Sequence, residues 1–385
     1  MKKLAITVFF ATFCLILIGL IIIMSASNTY SATKFDSSFH LFTSHLLRVV
    51  IGLVFMLTFS FIPYEWYKRI SKPAILSISF ILFITLWIAP HVKGAGRWLN
   101  LGFTTVQPAD IARLILIIHL AYLLERKRDD ILDFKNGFRF LFVWVIIVSG
   151  LIFIQPNVST AALIVIISLT MLYVGGARLK HIFLSSFGLI IAAGSFAMII
   201  PHSRKRILDF IGAFGDGGEL THQLKQGILS LGSGGIFGVG IGNSRQSNLF
   251  LPEAYGDFIF GILGEETGFL GVVVVLLFYM VLFIAGVLIA KKAKDKFGQM
   301  LAFGISFSII IYAFVNAAVA TGLFPTTGLP LPFISYGGTS IIFLSASIGI
   351  LINIAIYNHQ TEKDKQKQID IKMLKKTTLA IEDIR

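Results

Sequence analysis

Residues 257–292 read DFIFGILGEETGFLGVVVVLLFYMVLFIAGVLIAKK. From Asp257 to Ala290 the only charges are Asp257, Glu265 and Glu266. A run of this length exceeds the ~20 apolar residues that one helical span needs. Gly261, Gly264, Gly268 and Gly271 recur at 3-4-3 spacing, a small-residue stripe that lets another helix approach closely. Three carboxylates at the head of a tightly packed apolar segment are costly at membrane depth, and such groups are functional by default.

The rest of the chain has the same character. Of 385 residues, 56% are apolar and 14% charged, whereas soluble domains carry about 25% charge. That excludes disorder and an ordinary soluble fold. Frequent Phe (36) and Gly (35) suit helices packed in lipid. Polar breaks divide the chain into ten spans at about 4–24, 46–62, 73–90, 108–124, 140–154, 160–176, 182–200, 257–290, 300–323 and 336–357. The expected fold is all-α and polytopic. It has ten transmembrane helices over residues 1–360, a long external loop (201–256) between spans 7 and 8, and a cytoplasmic tail at 361–385. Cys14 is the only cysteine, which excludes an intramolecular disulfide or a cysteine-based zinc cluster.

A net charge of +13 could suggest nucleic acid, but the basic residues lie on alternate sides of the spans. With the N-terminus inside, 23 of the 33 Lys and Arg fall in cytoplasmic segments and 8 in external loops, while Arg48 and Arg113 lie within spans. This positive-inside asymmetry predicts a cytoplasmic (inner) membrane protein with both termini cytoplasmic and no nucleic-acid partner. Lys2-Lys3, a long apolar run and Ser25-Ala26-Ser27 have the form of a cleaved signal peptide. The run is longer than a usual signal core, so the expectation is a retained first span.

The external side carries the distinctive residues. Loop 201–256 holds Arg204-Lys205-Arg206, a helical stretch (220–231) and a glycine-rich run at 232–242. That run is not a dinucleotide fingerprint, because Asn243 stands where the third-glycine spacing needs Gly and no βαβ unit surrounds it. A tight turn against the bilayer surface is the expectation. The chain has no Walker A sequence and no H-E-x-x-H or paired-histidine spacing, so neither direct ATP use nor a protein-held zinc is indicated. Asp110 and Arg113, three apart at the start of span 4, share one helix face, with Pro108 near N1. The last external loop, residues 322–338, has three prolines and no charge yet is largely apolar. Irregular backbone of this kind is tolerated in a membrane only where it is buried or lines a cavity, which reads as a re-entrant cavity wall.

These motifs carry a resemblance. Residues 251–260 (LPEAYGDFIF) with Gly264-Glu265-Glu266, and residues 328–338 (GLPLPFISYGG), resemble the SEDS family (shape, elongation, division and sporulation), of FtsW and RodA type. Gly94-Ala95-Gly96-Arg97-Trp98, Gln107-Pro108 and Gln155-Pro156 are similar to further family motifs, and the likeness runs from Met1 to about Tyr357. The chain departs from the family pattern at three places: Ala109-Asp110 with Arg113 stand for Ser-Glu and Lys, Asn157-Val158-Ser159 for Asp-Leu-Gly, and Tyr255-Gly256 for His-Thr.

The resemblance implies a peptidoglycan glycosyltransferase polymerising lipid II at the outer face of the membrane, in division or elongation, with overall likeness favouring division. A sugar 4-hydroxyl attacks an anomeric carbon while undecaprenyl pyrophosphate leaves, which needs a base and cations. Asp257 is the candidate base. Candidate substrate-binding residues are Arg97, Trp98, Arg204, Arg206, Arg245, Glu253, Ser335 and Tyr336, with Asp110, Arg113, Glu265 and Glu266 in support. No cofactor is firmly implied, though the pyrophosphate leaves a role for a divalent metal (Mg or Mn). Expected partners are a class B penicillin-binding protein and other divisome or elongasome membrane proteins. The rival readings are a lipid II flippase, since buried charges also mark transport pathways, and a non-catalytic scaffold, which leaves the acidic cluster unexplained.

Overall fold

The computed structural model describes residues 1–89, 96–100, 105–199, 204, 208, 211–212, 222–246 and 255–359. Its helices are α1 (Lys2–Phe35), α2 (His40–Phe61), α3 (Glu65–Ile88), α4 (Pro108–Arg126), α5 (Arg139–Ile154), α6 (Val158–Val174), α7 (Leu179–Ile199), α8 (His222–Ser233), α9 (Ile259–Lys292), α10 (Lys296–Ala320) and α11 (Ser340–His359). Seven of them are long and apolar enough to cross a bilayer: α1, α2, α3, α5 with the π-turn Phe134–Phe138 before it, α9, α10 and α11. Val158–Val174 and Leu179–Ala192 are apolar but shorter. α4 carries Asp110, Arg113, Glu125 and Arg126 within 19 residues. The protein is therefore a multi-pass helical membrane protein.

Three features correct or refine the sequence expectation. First, α1 does not stop at residue 24 but runs through Ser25-Ala26-Ser27 to Phe35, with Ala26, Ser27 and Ser31 buried. These small residues face protein rather than water, and Ser31 ties the turn that follows by donating to the Ser37 carbonyl (2.7 Å) and accepting from the Leu41 amide (3.3 Å). Second, the loop before α4 contains a short antiparallel ribbon, β1 (Leu99–Asn100) with β2 (Thr105–Val106), in the register Leu99 opposite Val106.

Third, α9 is not one continuous helix. Gly268 adopts φ 68°, ψ −171°, a conformation open essentially to glycine alone. The break frees backbone groups that low-dielectric surroundings would punish, and the glycine-rich segment after α8 meets them. Val239 and Gly240 donate to the carbonyls of Glu265 (2.9 Å) and Glu266 (3.1 Å), while Phe269 and Leu270 donate to those of Gly235 (2.9 Å) and Ile236 (3.2 Å). The small-residue stripe of α9 thus serves two purposes: Gly261 and Gly264 admit α8, and Gly268 opens the helix for the loop.

α10 and α11 are the most enclosed of the long helices. α9 packs on both α1 and α10, and α4 lies between α3 and α10. At one end of the bundle Lys68 pairs with Glu125 (2.9 Å) and Asp295 (2.5 Å). The Tyr64 hydroxyl donates to Asp295 (3.0 Å), which also caps α10 through the Gly298 amide (3.0 Å). Asn353 of α11 accepts from the Tyr64 amide (2.9 Å) and donates to the Ser60 carbonyl (2.8 Å). The ends of α2, α3, α4, α10 and α11 are thereby tied together. The proline-rich loop and the head of α9 lie at the opposite end.

Candidate active site at the head of the ninth helix

Asp257 lies in the turn that leads into α9. The helix N-cap is Phe258, with no side-chain cap bond. Its position is fixed through its backbone: the Asn316 side-chain amide donates to the carbonyls of both Asp257 (2.9 Å) and Leu329 (2.7 Å). One buried asparagine on α10 therefore holds the Asp257 turn and the proline-rich loop in register. Two further stitches join the same segments. Ser335 Oγ donates to the Gly256 carbonyl (2.8 Å) while accepting from the Leu331 amide (2.7 Å), and the Tyr336 amide donates to the Tyr255 carbonyl (2.9 Å). Gly328 sits beside the carboxylate at φ +73°, and a Cβ there would stand 3.4 Å from Asp257 Oδ2. The result is a half-buried carboxylate on a rigid, doubly stitched floor.

The walls come from four elements. Tyr336 meets Tyr255 edge-on (5.5 Å between ring centroids), Tyr255 leans on Tyr30 of α1 (5.2 Å), and His45 of α2 faces Tyr336 (5.6 Å). The Trp98 ring rests against Gly338, which ties the β1–β2 ribbon to the start of α11, and the Gln107 amide donates to Thr339 Oγ1 (3.3 Å). Arg97 donates to the carbonyls of Gln155 and Pro156, at the corner between α5 and α6.

Asp110 and Arg113 are both buried and face each other at 3.8 Å. Arg113 also lies over the Tyr312 ring at 4.2 Å. Tyr312 and Asn316 are one turn apart on α10, so the ion pair and the Asp257 turn rest on consecutive turns of the same helix. Sequence reasoning thus named Asp257, Ser335, Tyr336, Trp98, Asp110 and Arg113, and the fold gathers them around α10 and the proline-rich loop.

Glu265, Glu266 and Arg245 belong to a different cluster. Glu265 is buried and accepts from Ser230 Oγ (3.1 Å), Ser244 Oγ (2.5 Å) and the Arg245 amide (3.1 Å). Glu266 is buried and accepts from Ser25 Oγ and the Gly242 amide (3.2 Å). These carboxylates bind the glycine-rich loop to the head of α9. Arg245 and Arg204 are exposed, whereas Arg206 and Glu253 lie outside the described residues.

Two residues that the sequence reading did not single out stand in the wall. His45 is fully buried with neither ring nitrogen hydrogen-bonded among the described residues, and Arg48, one turn on, has an unpartnered buried Nη1 and lies over Tyr336 at 5.1 Å. Arg48 was visible as a charge inside an apolar span. Its relation to the site depends on Tyr336, nearly 290 residues later, and only the fold supplies that. Among the described residues no three His, Cys, Asp or Glu converge as a metal cage.

Residues 6–360 match the family model of FtsW, RodA and SpoVE, described as cell cycle protein. The chain is 35% identical to a probable peptidoglycan glycosyltransferase FtsW of Geobacter sp., covering 88% of this chain and 92% of the relative. It is 36% identical to the stage V sporulation protein E of Bacillus subtilis, covering 90% and 95%. Among solved structures it is similar in fold to a chain from a study titled "Structural coordination of polymerization and crosslinking by a peptidoglycan synthase complex". That match has a TM-score of 0.75 and 22% identity, over 92% of this chain and 98% of the other. The rod shape determining protein RodA of Thermus thermophilus is similar at TM-score 0.68 and 22% identity, covering 90% and 95%.

Proposed function

Because the chain belongs to the FtsW, RodA and SpoVE family, we propose that it is a peptidoglycan glycosyltransferase, polymerising lipid II into glycan strands at the outer face of the cytoplasmic membrane. The observation that carries the reading is the carboxylate of Asp257 held on a rigid turn between the proline-rich loop and α10. Polymerisation needs the 4-hydroxyl of one sugar to lose its proton as it attacks the anomeric carbon of another, with the pyrophosphate leaving. Asp257 takes that proton, and a base set on fixed backbone is oriented before substrate arrives. Cationic side chains meet the pyrophosphate: Arg204, Arg206 and Arg245 from the long external loop, with Arg97 and Arg113 behind. Trp98 and Tyr336 offer faces to the sugars. A divalent ion (Mg or Mn) suits this chemistry, held by the Asp257 carboxylate, since Mg²⁺ sites use one or two protein carboxylates plus substrate phosphates.

The membrane arrangement is ten spans, adding α4, α6 and α7 to the seven longest helices, with both termini cytoplasmic. The 23-to-8 distribution of basic residues supports it, and reporter fusions at Gly217 and Lys367 should report opposite sides. This orientation puts the Lys68–Glu125–Asp295 cluster on the cytoplasmic side. Helix ends tied together there favour a site open to the outside over a flippase, which must open to both faces.

The partner is a class B penicillin-binding protein, with other divisome or elongasome proteins around it. One neighbour in fold comes from a complex that couples polymerisation to crosslinking, and the chain itself offers long, apolar, exposed helix faces. The test is polymerisation of labelled lipid II by the purified chain, with and without that partner. Polymer should form and should increase with the partner. Absence of polymer in both arms, from folded protein, would overturn the reading.

A further inference from the structure

The cluster around Glu265 and Glu266 leaves a loop with an unusual surface. From Gln226 to Ser244 the chain carries no charge. At the tip, Ile236 is 61% exposed, Phe237 79%, Val239 42% and Ile241 56%. Four large apolar side chains on an external loop would be a liability in water. The backbone beneath them is built for a dry setting: the amides and carbonyls of residues 235–240 pair with the broken turn of α9, and two buried carboxylates hold the loop's far limb.

The height of this loop follows from α9. Its lower part runs from Phe269 to Lys292, and at 1.5 Å per residue the 21 steps from Phe269 to Ala290 span about 32 Å. A bilayer hydrocarbon core is about 30 Å thick. With Lys291 and Lys292 at one interface, the Gly268 break falls at the other rim of the core. The loop pairs directly with that break. The side chains flanking it on α9, Phe269 (64% exposed) and Leu270 (48%), continue into an exposed apolar face through Val274 and Leu277. The loop tip and that face form one surface.

We propose that Ile236–Ile241 is an interfacial anchor seated among the acyl chains of the outer leaflet, and that Glu265 and Glu266 are the bolts that set its depth. The occupant of the surface is membrane lipid rather than a protein helix. The loop tip continues the exposed apolar face of α9, and its satisfied backbone leaves no edge to add a strand. One consequence is that Arg245, four residues beyond the tip, is held by the Glu265 bolt near the level of the lipid headgroups. The anchor itself stands on the fold and charge pattern, whatever the reaction.

The experiment uses the full chain in liposomes of phosphatidylethanolamine and phosphatidylglycerol. In a Cys14→Ser background, a nitroxide is placed at Phe237→Cys, at Ile241→Cys and, as a water-exposed reference, at Asp129→Cys. Collision with oxygen, which partitions into lipid, is compared with collision with a water-soluble nickel chelate. The two loop sites should favour oxygen and the reference site should favour nickel. Nickel access at both loop sites equal to that at Asp129→Cys would overturn the anchor. So would protection from both agents, the signature of a covering protein surface. The second loop site guards against one variant that misfolds. Lipid II polymerisation by the same variants is scored separately, so failure of the anchor and failure of the proposed reaction are distinguishable.

Discussion

The two ends of this helix bundle are held by different means. At the end that holds the Lys68 cluster, side chains of opposite charge find each other: Lys68 bridges Glu125 and Asp295, Tyr64 completes the Asp295 shell, and Asn353 ties α11 to the corner between α2 and α3. At the end that holds the Asp257 turn, the fixing runs largely through loop backbone. Asn316, Ser335 and Tyr336 stitch carbonyls and amides of two loops together, and the glycine-rich segment satisfies the break in α9. His45 and Arg48 keep ring and guanidinium nitrogens unsatisfied among the described residues, and Asp257 lies half-buried on its turn. One end is closed by a single charged cluster, whereas the other is sewn through loop backbone beside buried His45 and Arg48. That contrast predicts a graded set of mutational outcomes.

The largest effect should come from Asp257→Asn. The asparagine keeps size and hydrogen bonding, and the backbone stitches do not involve the carboxylate. Folding and partner binding should therefore survive, while polymerisation falls by about 10² to 10⁴, the usual cost of losing a positioned base. Near-normal polymer yield would remove Asp257 from the chemistry and blur the contrast between the ends.

Arg113→Ala should act through stability. It leaves Asp110 buried and uncompensated, which typically costs about 3–5 kcal/mol. The double change Asp110→Leu with Arg113→Met should recover much of that stability, because two well-packed apolar groups replace a buried pair at little net cost. Denaturation midpoints in detergent would decide. Equal midpoints for Arg113→Ala and the parent would mean the pair is solvated rather than buried.

The smallest effect belongs to the Lys68–Glu125–Asp295 cluster. Lys68, Glu125 and Asp295 keep side-chain exposures of 25%, 30% and 22%, so Lys68→Met should cost about 1 kcal/mol and spare polymerisation. The pH dependence has a definite sign. Burial opposes the charge on Asp295, but the bond from Lys68, the Gly298 amide and the Tyr64 hydroxyl outweigh it and hold the carboxyl below its ordinary range. For Lys68, burial is likewise outweighed, by the bonds to Asp295 and Glu125, and its pKa is raised. A depressed carboxyl contributes fully above its unfolded value and loses that contribution as pH falls through the folded one. A raised ammonium contributes fully below its unfolded value and loses that contribution as pH rises through the folded one. With ordinary values near 3.9 and 10.4, the stability gap between parent and Lys68→Met should be flat from about pH 5 to 10 and narrow below pH 4. A gap that closes between pH 6 and 8 would point to another group.

Much of this was legible in the sequence because membrane insertion writes itself in long apolar runs and in the placement of Lys and Arg. Asp257, Asp110 and Arg113 were legible because charge at membrane depth needs a reason. The end of α1 was misread because Ser25, Ser27 and Ser31 look like a polar exit when only hydropathy is counted; in the fold they face other helices. The small-residue stripe of α9 correctly signalled close packing. What approaches Gly268 is a loop, however, and pairings between residues 235–240 and 265–270 leave no periodic trace. Glu265 and Glu266 drew notice for the same reason as Asp257, and only the fold shows the partners of these two, Ser230, Ser244, Ser25 and the amides of Gly242 and Arg245.

Gly19 lies near the middle of α1, far in sequence from anything catalytic. A Cβ at that position would stand 2.5 Å from the Phe333 carbonyl oxygen and 2.8 Å from Ile334 Cα. Phe333 already holds φ 66°, a costly state for a bulky residue, and Ser335 two residues later is sewn to Gly256. In a genetic screen, alleles of codon 19 should therefore behave like alleles of the Asp257 turn. Second-site suppressors should arise in codons 329–338, where the backbone can shift to make room, rather than among neighbours in the first helix.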